Sequence, residues 1–256
     1  MTVANGLDNP TANLVETYFR LAQATPGACV WERGNLRGCT GSFGHPICNF
    51  AIASDLTEAD VAELARIVQS RDPFHAYVLP SVNRLASDER LASIGLQATY
   101  RLVQMVAPPV HELPRLQPVE ATTHAARLAL AKFMANQFFL SQPRQHREGI
   151  ARATALAGGL DLYAVGCQGA VVASLMLCRD RSTLGIYNLC VAEESRNQGW
   201  GRSILDWARA MAGIEGRTVT LQCDERLAAW YRSAGFNESG EITAYTRAIG
   251  GTFDTM

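Results

Sequence analysis

Residues 187–205 of this chain read YNLCVAEESRNQGWGRSIL, an apolar run followed by a glycine-containing loop and the start of a helical pattern. Residues 187–191 have the length and the aromatic and branched composition of a strand. Beyond the loop, apolar side chains recur at helical spacing, at Ile204, Leu205, Ala208, Met211 and Ala212. The stretch therefore predicts a strand, a glycine loop and a helix, in that order.

The loop is suited to binding an anion. A helix start leaves backbone N–H groups without intrahelical partners, and the aligned peptide dipoles make that end partly positive. Gly199 and Gly201 have no Cβ atoms, so a pyrophosphate can approach the backbone closely, and Arg196 and Arg202 add positive charge. The alternative is an ordinary strand-to-helix turn that uses glycine for its geometry.

At these residues the chain resembles the GCN5-related N-acetyltransferase superfamily. The family motif Gln/Arg-x-x-Gly-x-Gly/Ala is met by Arg196, Gly199 and Gly201. A second family element follows, because residues 227–236 read LAAWYRSAGF and look like the helix that ends in Tyr-x-x-x-Gly-Phe. The two elements together are fairly specific, and the resemblance covers about residues 115–248.

The resemblance implies acetyl-CoA as cosubstrate and a site for it. In that family the loop amides bind the pyrophosphate, and the preceding strand holds the pantetheine arm by sheet-like hydrogen bonds. Carried over residue by residue, it implies cofactor contacts at Leu189, Cys190, Val191, Arg196, Asn197, Gln198, Gly199, Trp200, Gly201, Arg202 and Asp224. Asp224 stands where many members carry an asparagine. Tyr231 matches the family tyrosine that acts as general acid near the cofactor sulfur.

Element patterns along the second half agree with this resemblance. Strands are predicted at residues 162–167, 170–178, 184–191 and 218–223, and helices at residues 122–139 and 145–157. Gln168 and Gly169 predict a hairpin turn between the first two strands. We therefore expect an α/β (α+β) fold in which helices flank a mixed, mostly antiparallel central sheet, the acyl-CoA N-acyltransferase fold.

The first half of the chain resembles the degenerate N-terminal acetyltransferase half of tandem members of this family. Helices are predicted at residues 11–24, 56–69 and 82–94, and strands at residues 28–32, 47–54, 75–79 and 98–105. Thr57 and Asp60 resemble a capping box at the start of the second helix. Residues 94–96 (IGL) parallel residues 234–236 (AGF), which suggests a tandem repeat.

The first half has no phosphate-loop motif, since residues 53–57 lead directly into a helix. We expect this half either to shape the acceptor pocket or to pack structurally. Trp31, Phe43 and His45 are candidates to line that pocket, although a core or surface position is favoured for each. The predicted division is residues 1–107, a proline-containing linker at residues 108–118, and an acetyl-CoA-binding domain at residues 119–256.

Composition excludes several classes of protein. A net charge of −1 gives no basic field for nucleic acid, and no apolar stretch approaches the length of a membrane span. Residues 1–8 lack the regions of a signal peptide, and the seven cysteines form no C-x-x-C pair, so we expect a cytoplasmic protein with free thiols. The five histidines have no ligand spacing, so no metal site is expected.

The predicted function is transfer of an acetyl group from acetyl-CoA to a primary amine of a small molecule or peptide by direct attack. Residues 183–191 contain no carboxylate, so the base is left open between water and groups such as Glu120 or Asp161. Apolar neighbours disfavour Cys190 as an acyl-carrying nucleophile. The alternatives are an acyl-CoA-binding regulatory protein without efficient transfer, and an acyltransferase that uses a longer acyl chain. A homodimer is possible.

Overall fold

The computed structural model describes residues 9–41, 45–70, 73–80, 84–112 and 114–247. Its helices are α1 (Asn9–Ala24), α2 (Glu58–Ser70), α3 (Arg84–Ser93), α4 (His124–Phe138), α5 (Arg144–Leu156), α6 (Trp200–Glu215) and α7 (Glu225–Ser233). Its strands are β1 (Cys29–Arg33), β2 (Leu36–Thr40), β3 (Asn49–Ala53), β4 (His75–Val78), β5 (Leu96–Ala107), β6 (Val119–Glu120), β7 (Leu160–Cys167), β8 (Ala170–Arg179), β9 (Thr183–Val191), β10 (Thr218–Asp224) and β11 (Asn237–Arg247).

All these strands belong to one sheet, in the order β1-β2-β3-β4-β11-β5-β10-β9-β8-β7-β6. The pairs β3–β4 and β9–β10 are parallel, and every other neighbouring pair is antiparallel. Helices α2 and α6 make the two parallel crossovers. The predicted mixed, mostly antiparallel sheet flanked by helices is therefore confirmed.

The strands on the two sides of the sheet are paired in the same pattern when each side is read from its edge toward the centre. β2, β3 and β4 are paired as β8, β9 and β10 are, first antiparallel and then parallel. At the centre the halves interleave, because β5 lies between β10 and β11, and β11 lies between β5 and β4. Each half therefore supplies the strand that continues the other half's part of the sheet.

Helix α1, from the first half, packs on the sheet of the second half. Asn13 is fully buried, and its Nδ2 donates to Cys178 O (3.1 Å) and Asp180 Oδ2 (2.9 Å). The Tyr187 hydroxyl donates to Asn13 Oδ1 at 2.8 Å. Helices α6 and α7 lie on the other face, where Leu205 and Tyr231 share a core with Leu221. β9 is thus held between α1 and α6.

The segment between β5 and β6 follows α6 closely. In its described part, residues 108–112 and 114–118, it contains neither helix nor strand. Val110 N donates to Arg209 O at 3.2 Å, and a Cβ atom at Gly213 would clash with the Val110 carbonyl. The glycine lets the segment lie directly against the helix.

β2 lies at residues 36–40, where the sequence analysis placed no element. Its sequence LRGCT has a glycine at its centre and no clear alternation. Gly38 is required there because a Cβ atom would clash with the Trp31 ring and lie 2.5 Å from Phe50 O. Close strand packing, rather than β propensity, explains this residue.

Most predicted helix ends lie within two residues of the observed ones, and the caps explain the differences. Thr123 accepts from Ala126 N at 3.2 Å and starts α4 at His124, two residues after the predicted start. The predicted capping box is confirmed, since Asp60 Oδ2 accepts from Thr57 N (2.8 Å) and Asp60 N donates to Thr57 Oγ1 (3.2 Å). The predictions at Phe43, residues 82–83 and residues 1–8 lie outside the described residues.

Candidate functional site

The loop between β9 and α6 turns through two residues with positive φ. After β9 ends at Val191, a short 3-10 turn leads to Asn197 (φ 62°) and Gly199 (φ 85°). Glycine adopts this conformation freely, and asparagine tolerates it. Ser203 N donates to Gly199 O at 3.0 Å, the first bond of the helix. The amides of residues 200–202 therefore stand at the helix start without intrahelical acceptors.

Both loop glycines leave space at this helix start. A Cβ atom at Gly199 would meet nothing within 4 Å, and one at Gly201 would lie 3.5 Å from Val191 Cγ2 and 3.8 Å from Trp230 Cζ2. The positive φ requires glycine at position 199, whereas the packing around Gly201 would accept a methyl group. The space beside the exposed amides is open to a ligand.

β9 and β10 are paired for only part of their lengths. Their parallel register runs from Thr183 opposite Thr218 to Ile186 opposite Leu221, and both strands then continue without pairing to each other. Asn188 (φ 50°) lies where β9 shifts register against β8, in a bulge that bends the strand. A gap therefore opens in the sheet beside the start of α6, and residues 187–191 have one edge free of a strand partner.

The equivalent place in the first half is closed. Ala53, the end residue of β3, is paired with Val78 of β4, and Leu79 N donates to Ala53 O at 2.9 Å. At the start of α2 the Asp60 carboxylate accepts from Thr57 N (2.8 Å) and from Asn35 N (3.0 Å). A bound anion would meet this negative charge. The described residues of the first half therefore offer neither the gap nor the free helix start.

Tyr231 lies on α7 beside the gap. It is 8% exposed, and its ring centroid is 4.7 Å from that of Trp230 and 5.8 Å from that of Phe236. Burial raises the pKa of Tyr231 above its ordinary value, with a smaller effect from Cys223, which lies on the part of β10 that is not paired with β9. The hydroxyl therefore stays protonated around neutral pH, as a proton donor must.

The strands, loop and helices at this gap lie in a part of the chain that resembles a known protein family. Residues 159–238 match the family model described as an acetyltransferase (GNAT) domain. This part of the chain is a GNAT acetyltransferase domain. The match includes β9, the loop that follows it, α6, β10 and α7. Among curated protein sequences, none matches the chain significantly.

The match to solved structures with the same fold covers much more of the chain than residues 159–238. A GCN5-related N-acetyltransferase from Kribbella flavida is 14% identical with a TM-score of 0.67, over 95% of this chain and 98% of that one. A GNAT-family protein from Novosphingobium aromaticivorans is 18% identical with a TM-score of 0.58, over 90% and 98%. A tandem GNAT protein from the clavulanic acid biosynthesis pathway is 15% identical with a TM-score of 0.57, over 96% and 97%. These likenesses extend the shared fold to the first half.

The two arginines of the loop in the GNAT domain differ in their partners. Arg202 Nε is 3.0 Å from Asp206 Oδ1. Arg196 donates to two neutral oxygens at 3.4 Å, Val191 O and Gln137 Oε1. Arg196 therefore has its positive charge free of a described carboxylate and is the better placed of the two to meet an anion.

The other predicted contact residues surround the same helix start. Gln198 Nε2 donates back to Glu194 O at 3.1 Å, and Asn197 is exposed. Leu189, Val191 and Trp200 are partly buried against the core beneath α6. The structure thus groups the predicted loop and strand residues of the GNAT domain at the gap. Their roles toward a cofactor stay predictions.

Cys190 is held in an environment that disfavours its thiolate. Its Sγ is 3.1 Å from Ser174 Oγ, and burial raises the pKa of the thiol to about 11. A nucleophilic cysteine has instead a lowered pKa, whereas here burial outweighs the opposing effect of Arg196. This environment argues against an acyl-carrying role for Cys190.

Asp224 is the N-cap of α7. Its carboxylate accepts from Arg226 N and Arg226 Nε, both at 2.8 Å, and these bonds lower the pKa of the carboxyl group. The sequence does not reveal this role, although Asp at a helix start is a common cap. A contact of Asp224 with a cofactor stays a prediction, beside the capping role that the structure gives it.

The two carboxylates named as possible bases lie away from the gap. Tyr163 donates to Glu120 Oε2 at 3.1 Å on the β6–β7 edge, and Asp161 forms an ion pair with Arg179 near the start of β9. Among the described residues, no group of histidines, cysteines or carboxylates has metal-site geometry, and no helix is long and apolar enough to cross a membrane.

Proposed function

We propose that this chain is an acetyl-CoA-dependent N-acetyltransferase that acts on a primary amine of a small molecule or peptide. The observation that carries the proposal is the gap between β9 and β10, which opens beside the free helix start of α6. A parallel sheet pair that separates exposes backbone donors and acceptors to an extended ligand, and the helix start adds an anion site.

In the proposed reaction, the pyrophosphate binds the amides of residues 200–202, and the pantetheine arm lies along the free edge of residues 189–191. A neutral amine attacks the thioester carbonyl carbon, the C–S bond breaks, and the coenzyme A thiolate leaves. Tyr231 donates its proton to that sulfur, which is the role of a general acid. Because no described carboxylate lies on β9, water takes the proton that the amine loses.

We further propose that the chain consists of two tandem copies, with residues 1–107 as the degenerate copy, residues 108–118 as linker and residues 119–256 as the cofactor-binding copy. The matching order of strand pairing in the two halves supports this. The proposed protein is cytoplasmic, uses no metal or nucleic acid, and pairs as a homodimer if the sheet edges at β1 or β6 associate.

The absence of a carboxylate on β9 also favours a second candidate, an acyl-CoA-binding regulatory protein without efficient transfer. Tight acetyl-CoA binding without transfer to a broad set of amines would support that candidate. A third candidate, an acyltransferase for longer chains, would be supported if longer acyl-CoA thioesters displace acetyl-CoA and react faster.

The variant Gly199→Glu tests the cofactor site. Acetyl-CoA at about 100 times its dissociation constant is expected to stabilise the unaltered protein by about 2.7 kcal/mol, a shift of a few degrees in thermal midpoint. A glutamate adds bulk and negative charge at the helix start, so the shift is expected to disappear. Differential scanning fluorimetry with and without acetyl-CoA measures it.

Gly169→Glu is the matched control, because Gly169 (φ 83°) has the same strained conformation in the exposed β7–β8 turn and nothing within 4 Å of its Cβ position. This variant is expected to keep the full acetyl-CoA shift. An unchanged shift in Gly199→Glu, or no shift in the unaltered protein, would contradict the proposed site.

Tyr231→Phe is expected to lower kcat about 100-fold, since a general acid contributes on the order of 10² to 10⁴. The acetyl-CoA dissociation constant should stay nearly the same, because only the hydroxyl group is removed. Initial-rate kinetics and calorimetric titration separate the two quantities. Tyr163→Phe, at the β6–β7 edge, is the control and should keep its kcat. If the two variants have equal kcat, Tyr231 has no part in proton transfer.

A further inference from the structure

Two glutamines at the centre of the sheet have buried amide nitrogens without hydrogen-bond acceptors. Gln104 on β5 is 0% exposed, and Gln222 on β10 is partly buried. Among the described residues, neither Nε2 atom has a partner. Thr11 on α1 donates to the Oε1 atom of Gln104 at 3.2 Å.

The two glutamines are directly opposite each other in the antiparallel β5–β10 pair, so their side chains share one face of the sheet. Leu221 and Cys223 pack in the core beneath α6 and α7, so the alternating Gln222 lies on the other face, beneath α1. Gly240 is opposite Gln104 on β11, where a Cβ atom would lie 3.1 Å from the Gln104 Oε1 atom. The glycine leaves room for the amide.

The pair lies where the sheet opens. Leu221 is the end of the β9–β10 pairing, and Gln222 is the next residue of β10. Its side chain therefore lies directly beside the point at which β9 and β10 separate. Tyr231 lies on the α6–α7 face of the same gap. Tyr231 and Gln222 therefore lie on opposite faces of the sheet beside the gap, and Gln104 is next to Gln222 on the neighbouring strand β5.

Such orphaned donors are rare because they are costly. A buried polar group without a partner destabilises a protein because it loses its hydrogen bonds to water, and native structures have few such groups. Two such donors, opposite each other on neighbouring strands beside the gap, are explained if a ligand supplies the oxygen atom that accepts their hydrogen bonds. Amide N–H groups carry no net charge, so they match a neutral carbonyl oxygen. A carboxylate in the same place would be buried without a countercharge.

We propose that Gln104 and Gln222 recognise the acceptor through a neutral carbonyl oxygen, so that the substrate amine is part of an amino-acid amide or a peptide N-terminus. This inference rests on the proposed function and narrows its acceptor class. Gln222 is the specificity-determining residue, because its side chain makes no described hydrogen bond within the protein. Gln104, held by Thr11, orients the second donor from the first half of the chain.

The test compares kcat/KM of the full chain for three sets of amines, with acetyl-CoA saturating. The first set is glycinamide, alaninamide, leucinamide and phenylalaninamide. The second is the corresponding free amino acids, and the third is alkyl amines in which an isopropyl group replaces the carboxamide. We expect at least a tenfold preference for the amides over both other sets, the size that loss of one or two neutral hydrogen bonds produces.

In Gln222→Met, which keeps the length of the side chain, the preference for amides should fall to less than about threefold. The kcat/KM for the alkyl amines should not fall below that of the unaltered protein. Its thermal midpoint should equal or exceed that of the unaltered protein, because the orphaned donor is gone. Gln97→Met, an exposed site on the same strand as Gln104, is the control and should keep the preference.

The outcomes separate this inference from the function on which it rests. If calorimetric titration shows no acetyl-CoA binding, the proposed function fails. If acetyl-CoA binds but none of the three sets of amines is acetylated, the proposed transfer function fails. If alkyl amines or free amino acids are acetylated, then equal kcat/KM for amides and alkyl amines, or no transfer to any amide, overturns the recognition role alone. A preference that survives in Gln222→Met also overturns it. A lowered thermal midpoint with an unchanged preference would make Gln222 a structural residue.

Discussion

Lowering the pH from 7 to 4.5 is expected to reduce the free energy of unfolding by about 5 kcal/mol, because two buried histidines stay neutral in the folded chain. His45 is 3% exposed, and its pKa is lowered to about 3 by burial and by the nearby His75 and His146. His75 is 4% exposed, and burial lowers its pKa to about 4. Nδ1 of His45 accepts from Ile47 N at 3.2 Å, so protonation there would break this bond.

The direction of the pH effect follows from the difference in proton binding between the unfolded and the folded chain. An unfolded histidine titrates near 6.5, well above both folded values, so the unfolded chain binds more protons below that pH. The stabilisation is complete above about pH 6.5 and is lost as the pH falls toward the folded pKa values. Among the described residues, five carboxyl groups also have lowered pKa values: Asp60, Glu63, Glu148, Asp180 and Asp224. Their ordinary values are 3.8 for aspartate and 4.5 for glutamate, so most of their contribution is lost below pH 4.5. The window between pH 6.5 and 4.5 therefore reports the histidines.

Urea unfolding at a series of pH values measures this effect. His75→Phe should remove about half of the pH dependence in that window, since phenylalanine keeps a ring against Tyr77 but has no proton to bind. His124→Gln, at an exposed position, is the control and should leave the pH dependence unchanged. A flat free energy of unfolding between pH 6.5 and 4.5 would show that the two rings are not buried as neutral groups.

Gly213→Ala is expected to lower the free energy of unfolding by about 3 kcal/mol, the upper part of the range for overpacking a close contact. Glycine to alanine within a helix ordinarily raises stability by about 0.5–1 kcal/mol. Here the added methyl group would overlap the carbonyl oxygen of Val110 and lie 2.9 Å from its carbonyl carbon. Both are backbone atoms, so the connecting segment or α6 must move.

Chemical unfolding of Gly213→Ala should be compared with that of Gly158→Ala. Gly158 is exposed, has no atom within 4 Å of its Cβ position and is not among the residues with positive φ. The control is therefore expected to be neutral or slightly stabilising. Equal stability of the two variants would mean that residues 108–112 do not lie against α6.

The parts of the fold that local chemistry determines were predictable from the sequence. The apolar run before the loop became β9, and the helical spacing after it became α6, which starts between Gly199 and Gly201. The hairpin turn at Gln168 (φ 51°) and Gly169 (φ 83°) and the capping box of α2 are confirmed as well. Each of these signals lies within a few residues of the element that it specifies.

The remaining features depend on contacts between distant residues. The bulge at Asn188 follows from how β9 meets β8, and asparagine with positive φ is the one local sign of it. The glutamine pair exists because β5 and β10, far apart in the chain, are adjacent in the sheet. The same holds for Asn13, whose bonds to Asp180 and Tyr187 place α1 on the second half. No pattern within a window of the sequence indicates such pairings.

The interleaved centre of the sheet has a consequence for synthesis of the protein. Ala76 of β4 is paired with Tyr245 of β11, so β4 lacks this neighbour until nearly all of the second half has left the ribosome. β5 likewise lacks both of its neighbouring strands, β10 and β11, until they have been synthesised. A nascent chain therefore exposes unpaired edges on two strands, β4 and β5, for most of its translation, and such edges associate readily with other chains. Chaperone binding to the growing chain should accordingly persist until residue 245 emerges, and ribosome stalling in the second half should lead to aggregation rather than to a folded first half.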